Sequence, residues 1–192
     1  MKYKIFLCDL TGERCDPKEL SRNLCAEAVN AYCRMEKIDM TGSGDENGYR
    51  PEDFLEEKNG KPYLEGHPLH FNVSHSGLLW LCIAGGAPCG IDIQQEKDCS
   101  YEKIAARHFS KEEQAYIKEK GLSGFFRLWT MKEAYGKYTG QGFYGQMPPL
   151  IGEDGKPVSE ISGAFIREIE IGPGIYCAYC TGGKDDEIQF IG

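Results

Sequence analysis

Gly85-Gly86-Ala87-Pro88 cuts the chain between two strand-like runs, residues 78–84 and 90–94, the first of which is its longest apolar run. Proline has no N–H to give a ladder, and paired glycines favour a turn, so neither run continues across the break. It is the best internal boundary and divides residues 1–85 from residues 86–192. Upstream, residues 3–9 read as a strand, and Pro17 opens a helix to about residue 36 with Leu20, Leu24, Ala28 and Tyr32 at helical spacing. Residues 62–64 and 69–73 are short strand candidates, separated from the helix by a polar, Gly-rich loop over 41–48 and a turn at Asn59-Gly60-Lys61-Pro62. Downstream come helices over 101–107, 111–120 and 125–138, a Gly/Pro-rich loop over 140–149, and strands over 163–171 and 175–181. Helix and strand occur on both sides of the break without regular βαβ alternation, which predicts an α+β fold.

Composition excludes several classes. A hydrophobic content of 41% suffices for a core, while the longest apolar run is far too short to span a bilayer. The opening residues lack the length and cleavage pattern of a signal peptide, so a cytoplasmic location is expected. The formal charge of -8 disfavours nucleic acid and membrane surfaces as partners, and any anionic ligand must be met by a local cluster of cations or a metal. Nine cysteines, odd in number and irregularly spaced, predict reduced thiols. Cys177 and Cys180 lie three apart in a strand, on opposite faces, which argues against a shared zinc. His67 and His70 read as ordinary loop and strand-edge residues.

Four segments could carry chemistry. Asp92 and Gln94 share one face of a strand whose other members, Ile91 and Ile93, are apolar; this is either a half-exposed strand or a hard-oxygen offer to Mg²⁺. Glu133 and Lys137 sit one helical turn apart, as a surface pair or as a carboxylate for a metal and an ammonium for a phosphate. Ser110-Lys111-Glu112-Glu113 has the spacing of a capping box, and Glu113 is either that cap or a general base. Asn72-Val73-Ser74-His75-Ser76-Gly77 places small polar residues and His75 just before a strand, where the histidine meets loop backbone or a phosphate.

In order along the chain, Phe71-Asn72-Val73-Ser74-His75-Ser76-Gly77, Gly90-Ile91-Asp92-Ile93, Phe109-Ser110-Lys111-Glu112-Glu113 and Leu128-Trp129-Thr130-Met131-Lys132-Glu133-Ala134 with Lys137 resemble the Sfp-type 4′-phosphopantetheinyl transferases. Gly60-Lys61-Pro62 upstream and Gly140-Gln141-Gly142 downstream extend the resemblance over roughly residues 20–145.

The resemblance implies two similar α+β halves related by a pseudo-twofold, with coenzyme A as co-substrate in the cleft between them. It makes Asp92 and Glu133 ligands of Mg²⁺, with Gln94 a weak or water-mediated third, and it makes Glu113 the candidate base. Lys137 would contact the pyrophosphate and His75 the 3′-phosphate, Gly60, Lys61 and Pro62 would border the adenine, and Ser74 would be a further contact to coenzyme A. The implied reaction moves the phosphopantetheine arm to a serine of an apo acyl or peptidyl carrier protein and releases 3′,5′-ADP. The carrier would serve fatty-acid, polyketide or nonribosomal-peptide synthesis, and a cleft within one chain makes a monomer the expected state.

Two departures stand out: Gln94 replaces the acid commonest two residues after the metal-binding aspartate, and the N-terminal region lacks a basic stretch, leaving Lys18 and Arg22 for the 3′-phosphate. The alternatives are a catalytically impaired carrier-binding homologue and another Mg²⁺-dependent nucleotide phosphotransferase or hydrolase.

Overall fold

The computed structural model describes residues 1–13, 16–40, 48–57, 60–66, 69–143 and 147–191. Of the features read above, Cys15, positions 41–47 of the polar loop, Asn59, His67 and positions 144–146 of the Gly/Pro-rich loop lie outside the described residues. In chain order the first elements are β1 (Lys2–Asp9), α1 (Pro17–Glu36), β2 (Phe54–Glu56), β3 (Pro62–Leu64), β4 (His70–Ser76), β5 (Leu79–Gly85) and β6 (Cys89–Gln95). There follow α2 (Tyr101–His108), α3 (Lys111–Thr139), β7 (Glu160–Ile161), β8 (Ala164–Gly172), β9 (Ile175–Thr181) and β10 (Glu187–Ile191). The fold is α+β.

One sheet has the order β10-β1-β5-β4 and the other β6-β9-β8-β7, with β2 and β3 as a separate hairpin. The break at Gly85-Gly86-Ala87-Pro88 thus passes the chain from one sheet to the other. The last strand, β10, returns to the first sheet and pairs parallel with β1.

Alternation of side chains along the strands sorts the core into layers. Phe6, Trp80, Cys82 and Ala84 pack against Cys25, Val29 and Tyr32 of α1. Their strand neighbours Tyr3, Ile5, Leu81 and Ile83 point the other way, onto Ile91, Ile93, Cys177 and Tyr179 of the second sheet. Ala178 and Cys180, on the far face of β9, join Phe126, Leu128 and Ala134 of α3. The order is helix, sheet, sheet, helix. Cys177 and Cys180 fall in different layers, as strand alternation requires, and every described cysteine is free.

Asp16 caps α1 by accepting from the Lys18 and Glu19 N–H groups at 3.0 and 3.1 Å, and Pro17 follows where a missing N–H costs nothing. The buried stripe of α1 runs through Cys25, Ala28, Val29, Tyr32 and Cys33, while Leu20 and Leu24 are only half-buried. The two helices expected over 111–120 and 125–138 are one run, α3, broken at Gly121, whose φ of 67° a glycine adopts without strain.

Gly90 sets how near α3 comes to β6. A Cβ there would lie 2.1 Å from the Ala134 carbonyl oxygen and 2.5 Å from the Tyr138 nitrogen, both backbone. Gly90→Ala is therefore expected to cost about 1–3 kcal/mol or more in urea unfolding by pushing helix from strand. Gly86→Ala, whose Cβ would meet nothing within 4 Å, is the control expected to change stability little.

Candidate active site

The strand expected over 69–73 runs on to Ser76 as β4, so residues 74–76, read as the polar segment before the next strand, lie inside it, and the alternation of Asn72, Ser74 and Ser76 explains why. Asn72 Oδ1 accepts from the Ile91 N–H at 2.9 Å, Ser74 Oγ from the Ile93 N–H at 3.3 Å, and Ser76 Oγ from the Gln95 N–H at 2.8 Å. Each rung spans 19 residues, so β4 and β6 run in register. Side chains of one strand thus satisfy the open backbone edge of the other, where unpaired N–H groups would be costly. A period of two in Asn72, Ser74 and Ser76 was the sequence signal for this, obscured because none of the three is a strong strand former.

Asp92 sits beside that seam, 2% exposed, on the face of β6 that looks at α3. Its Oδ1 accepts from Ser74 Oγ at 2.7 Å and from Lys137 Nζ at 2.8 Å, and its Oδ2 accepts from Gln94 Nε2 at 3.0 Å. A half-exposed strand face is thereby ruled out. Lys137 Nζ also donates to the carbonyls of Ile91 at 2.9 Å and Val73 at 3.4 Å, tying both sheets to α3. In this structure the ammonium expected at a phosphate is the counter-ion of Asp92.

Glu133 faces the same cavity of 380 Å³ as Ser74, His75, Asp92, Gln94 and Lys137, with Phe125, Phe126 and Trp129 as its apolar wall. Among the described residues no donor reaches its carboxylate. Burial first, and the Asp92 carboxylate second, push the Glu133 carboxyl above its ordinary value, and Lys137 only partly offsets them. The site is short of positive charge.

Two further cavities adjoin. One, of 340 Å³, is lined by Lys18, Arg22, Gly60, Pro62 and His75, the residues expected at the adenine and 3′-phosphate. Arg22 is held there by Glu56 at 2.9 Å, an exposed pair worth little in stability. The other, of 240 Å³, joins Gly60, Lys61 and Pro62 to Glu133, Lys137, Gly140 and Gly142. Gly142 lies against Gly136, whose Cβ would come 2.9 Å from the Gly142 carbonyl carbon. A larger space of 740 Å³ near α1, Tyr49 and Ile191 holds none of the expected residues.

Glu113 is not in these cavities. It is 0% exposed, and Oε2 accepts from the Ser110 N–H at 2.7 Å while Oε1 accepts from the Leu150 N–H at 2.8 Å. Lys132, itself 3% exposed, pairs with Oε1 at 3.0 Å. This geometry favours the cap over the general base: the carboxylate is fully buried, and both its oxygens are taken by protein donors. Lys132, to which no role is given by the sequence, is next to Glu133 and projects about 100° around the helix from it.

Asp92, Glu133 and Gln94 supply hard oxygens, which suit Mg²⁺, and the uncompensated charge at Glu133 is what a cation would relieve. The described residues gather no cluster of three or more histidines, cysteines or acids, so the remaining ligands would be water and substrate.

The family model of the 4′-phosphopantetheinyl transferase superfamily matches residues 88–168, the segment that holds Asp92, Glu113, Glu133 and Lys137. The 4′-phosphopantetheinyl transferase Sfp of Bacillus subtilis is 34% identical over 144 residues, 69% of this chain and 64% of that protein. The 4′-phosphopantetheinyl transferase psf-1 of Bacillus pumilus is 35% identical over 140 residues, 67% of this chain and 60% of that protein. The chain belongs to the 4′-phosphopantetheinyl transferase superfamily. It spans a little under two thirds of the length of these relatives. The 4′-phosphopantetheinyl transferase AcpT of Salmonella typhi, 38% identical over 89 residues, covers 42% of this chain and 46% of its own length.

Two outcomes follow for this family member. Glu113→Gln leaves the Lys132 ammonium buried without its anion, so unfolding free energy should fall by roughly 3–5 kcal/mol; an unchanged urea midpoint would remove the buried pair. For Glu133, a carboxyl raised in the fold contributes stability below its unfolded value, near 4.3, and loses it as pH rises through the folded value. In chelator, Glu133→Gln is thus expected to melt above wild type at neutral pH, the gap closing below about pH 4. A gap that is absent or widens toward acid contradicts the raised carboxyl.

Proposed function

We propose that this protein transfers the 4′-phosphopantetheine arm of coenzyme A to a serine of an apo acyl or peptidyl carrier protein. The observation that carries the reading is convergence. Asp92, Glu133 and Lys137 line one cavity, Lys18, Arg22, Gly60 and Pro62 line another, and His75 lines both. An acid pair beside a cluster of cations suits a ligand that is a pyrophosphate at one end and a phosphorylated nucleoside at the other. This cluster overrides locally a formal charge of -8.

In the reaction the serine oxygen forms a bond to the phosphorus that bears the pantetheine arm. The phosphoanhydride bond breaks and its electron pair leaves on the α-phosphate oxygen of 3′,5′-ADP. Mg²⁺, held by Asp92 and Glu133 with the Gln94 amide directly or through water, would offset charge on the pyrophosphate oxygens as the leaving group departs. Lys137 lies one helical turn from Glu133 and shares its charge with that pyrophosphate. Lys18, Arg22 and His75 take the 3′-phosphate, Arg22 exchanging Glu56 for it, and Gly60, Lys61 and Pro62 border the adenine. Glu133 is the described carboxylate in the cavity with an oxygen free of protein donors, and we assign it, in place of Glu113, the serine proton.

The same reading takes residues 1–85 and 86–192 as two related halves, the protein as a monomer, and its location as cytoplasmic. No described helix is long and apolar enough to cross a membrane.

Intact-mass analysis of an apo carrier protein with this chain, coenzyme A and Mg²⁺ tests the proposal. Wild type should add one phosphopantetheine arm, Asp92→Asn should lose about 100-fold or more in rate, and Glu113→Gln should stay within about tenfold where it is folded. Release of 3′,5′-ADP without a mass gain would make the protein a hydrolase. No reaction with either carrier class would overturn the transfer.

A further inference from the structure

Ser74 is the residue of β4 that reaches both the backbone of β6 and the Asp92 carboxylate. Its one O–H proton goes to Asp92 Oδ1 at 2.7 Å, its oxygen accepts the Ile93 N–H at 3.3 Å, and it is 7% exposed. A hydroxyl has a single proton, so while Ser74 donates to Asp92 it has none for a phosphate. The expected contact of Ser74 with coenzyme A is therefore closed in this structure.

The donors on Asp92 are unevenly shared. Oδ1 takes two, Ser74 Oγ and Lys137 Nζ, and Oδ2 takes one, Gln94 Nε2. A carboxylate oxygen has two lone pairs, so Oδ1 is saturated and Oδ2 keeps one to offer. Without Ser74 the carboxylate keeps only Lys137 and Gln94, both on long flexible side chains, so its broad terminal torsion, and with it that offer, is less firmly fixed. We propose that Ser74 is a positioning residue for the cation, acting through Asp92 and not on coenzyme A. This rests on the reading that Asp92 and Glu133 hold Mg²⁺. The neighbouring rungs make the comparison: Ser76 Oγ bonds the Gln95 N–H at 2.8 Å, and no contact joins it to Asp92.

Calorimetry on the full chain separates these roles, with Mg²⁺ titrated in saturating coenzyme A and coenzyme A titrated in EDTA. Ser74→Ala should weaken Mg²⁺ binding about 10- to 100-fold, the usual loss for a partner that orients a metal ligand. Its coenzyme A affinity in EDTA should stay at the wild-type value, Ser74→Thr should restore Mg²⁺ binding, and Ser76→Ala should leave it unchanged. Should Ser74→Ala not fold, Ser74→Cys keeps the volume with a much weaker donor and is read in its place. The inference is overturned by wild-type Mg²⁺ affinity in the variant, by a loss of coenzyme A affinity in EDTA, or by an equal Mg²⁺ loss in Ser76→Ala. A wild type that binds neither Mg²⁺ nor coenzyme A overturns the proposed function itself, and the inference with it.

Discussion

The open edge of β6 is the constraint on which the rest of this structure depends. Its Ile91, Ile93 and Gln95 N–H groups point away from β9 and would be costly to bury unpaired. A neighbouring strand could have paired them directly, and the two sheets would then have fused. Instead Asn72, Ser74 and Ser76 reach across with their side chains. The strands stay a side chain apart, and that extra width admits the Lys137 ammonium between the carbonyls of Val73 and Ile91. Cavities on both sides of Lys137 open from the same seam.

Charge is apportioned along α3 with the same economy. Lys132 and Glu133 are adjacent in sequence and so project in different directions from the helix. Lys132 turns to Glu113 and makes a closed, buried pair that anchors the helix to its own first turn and to Leu150. Glu133 turns to Asp92 and has no such partner, so burial first and the Asp92 carboxylate second raise its carboxyl, with Lys137 only a partial offset. Of two acids near this helix, the fold satisfies one and leaves the other wanting a cation. A satisfied buried acid is a structural part, and an unsatisfied one in a cavity is a functional candidate.

That distinction marks how far the sequence was legible. α1, β3 and β9 fall where helical spacing, a Gly-Lys-Pro turn and an apolar run predict them, because the determining contacts are local or lie on one face. β10 carries no such local signal: Glu187-Ile188-Gln189-Phe190-Ile191 is short and polar, and only pairing with β1, from the other end of the chain, makes it a strand. The strand over 69–73 extends to Ser76 for a related reason, since what holds Ser74 and Ser76 extended is the β6 edge, invisible to local pattern. The convergence of Asp92, Glu133, Lys137 and His75 was legible only through the ordered motifs of a family. Those same motifs offer Glu113 as a base, while the capping-box spacing describes the contacts it makes in the fold.

Gly90 links these levels. Strand alternation puts Gly90, Asp92 and Gln94 on the face of β6 that meets α3, and only the absence of a side chain at the first lets Ala134 and Tyr138 backbone close onto it. The approach is made at one turn of α3, and it places the turn bearing Glu133 and Lys137 opposite Asp92. A lysine side chain has a fixed reach, so an ammonium that must touch Asp92, Ile91 and Val73 at once sets the tolerated distance between helix and strand. A methyl group at position 90 would act on that distance directly. The glycine two residues before the aspartate is thus as much a part of the site as the carboxylate, although it can touch no ligand.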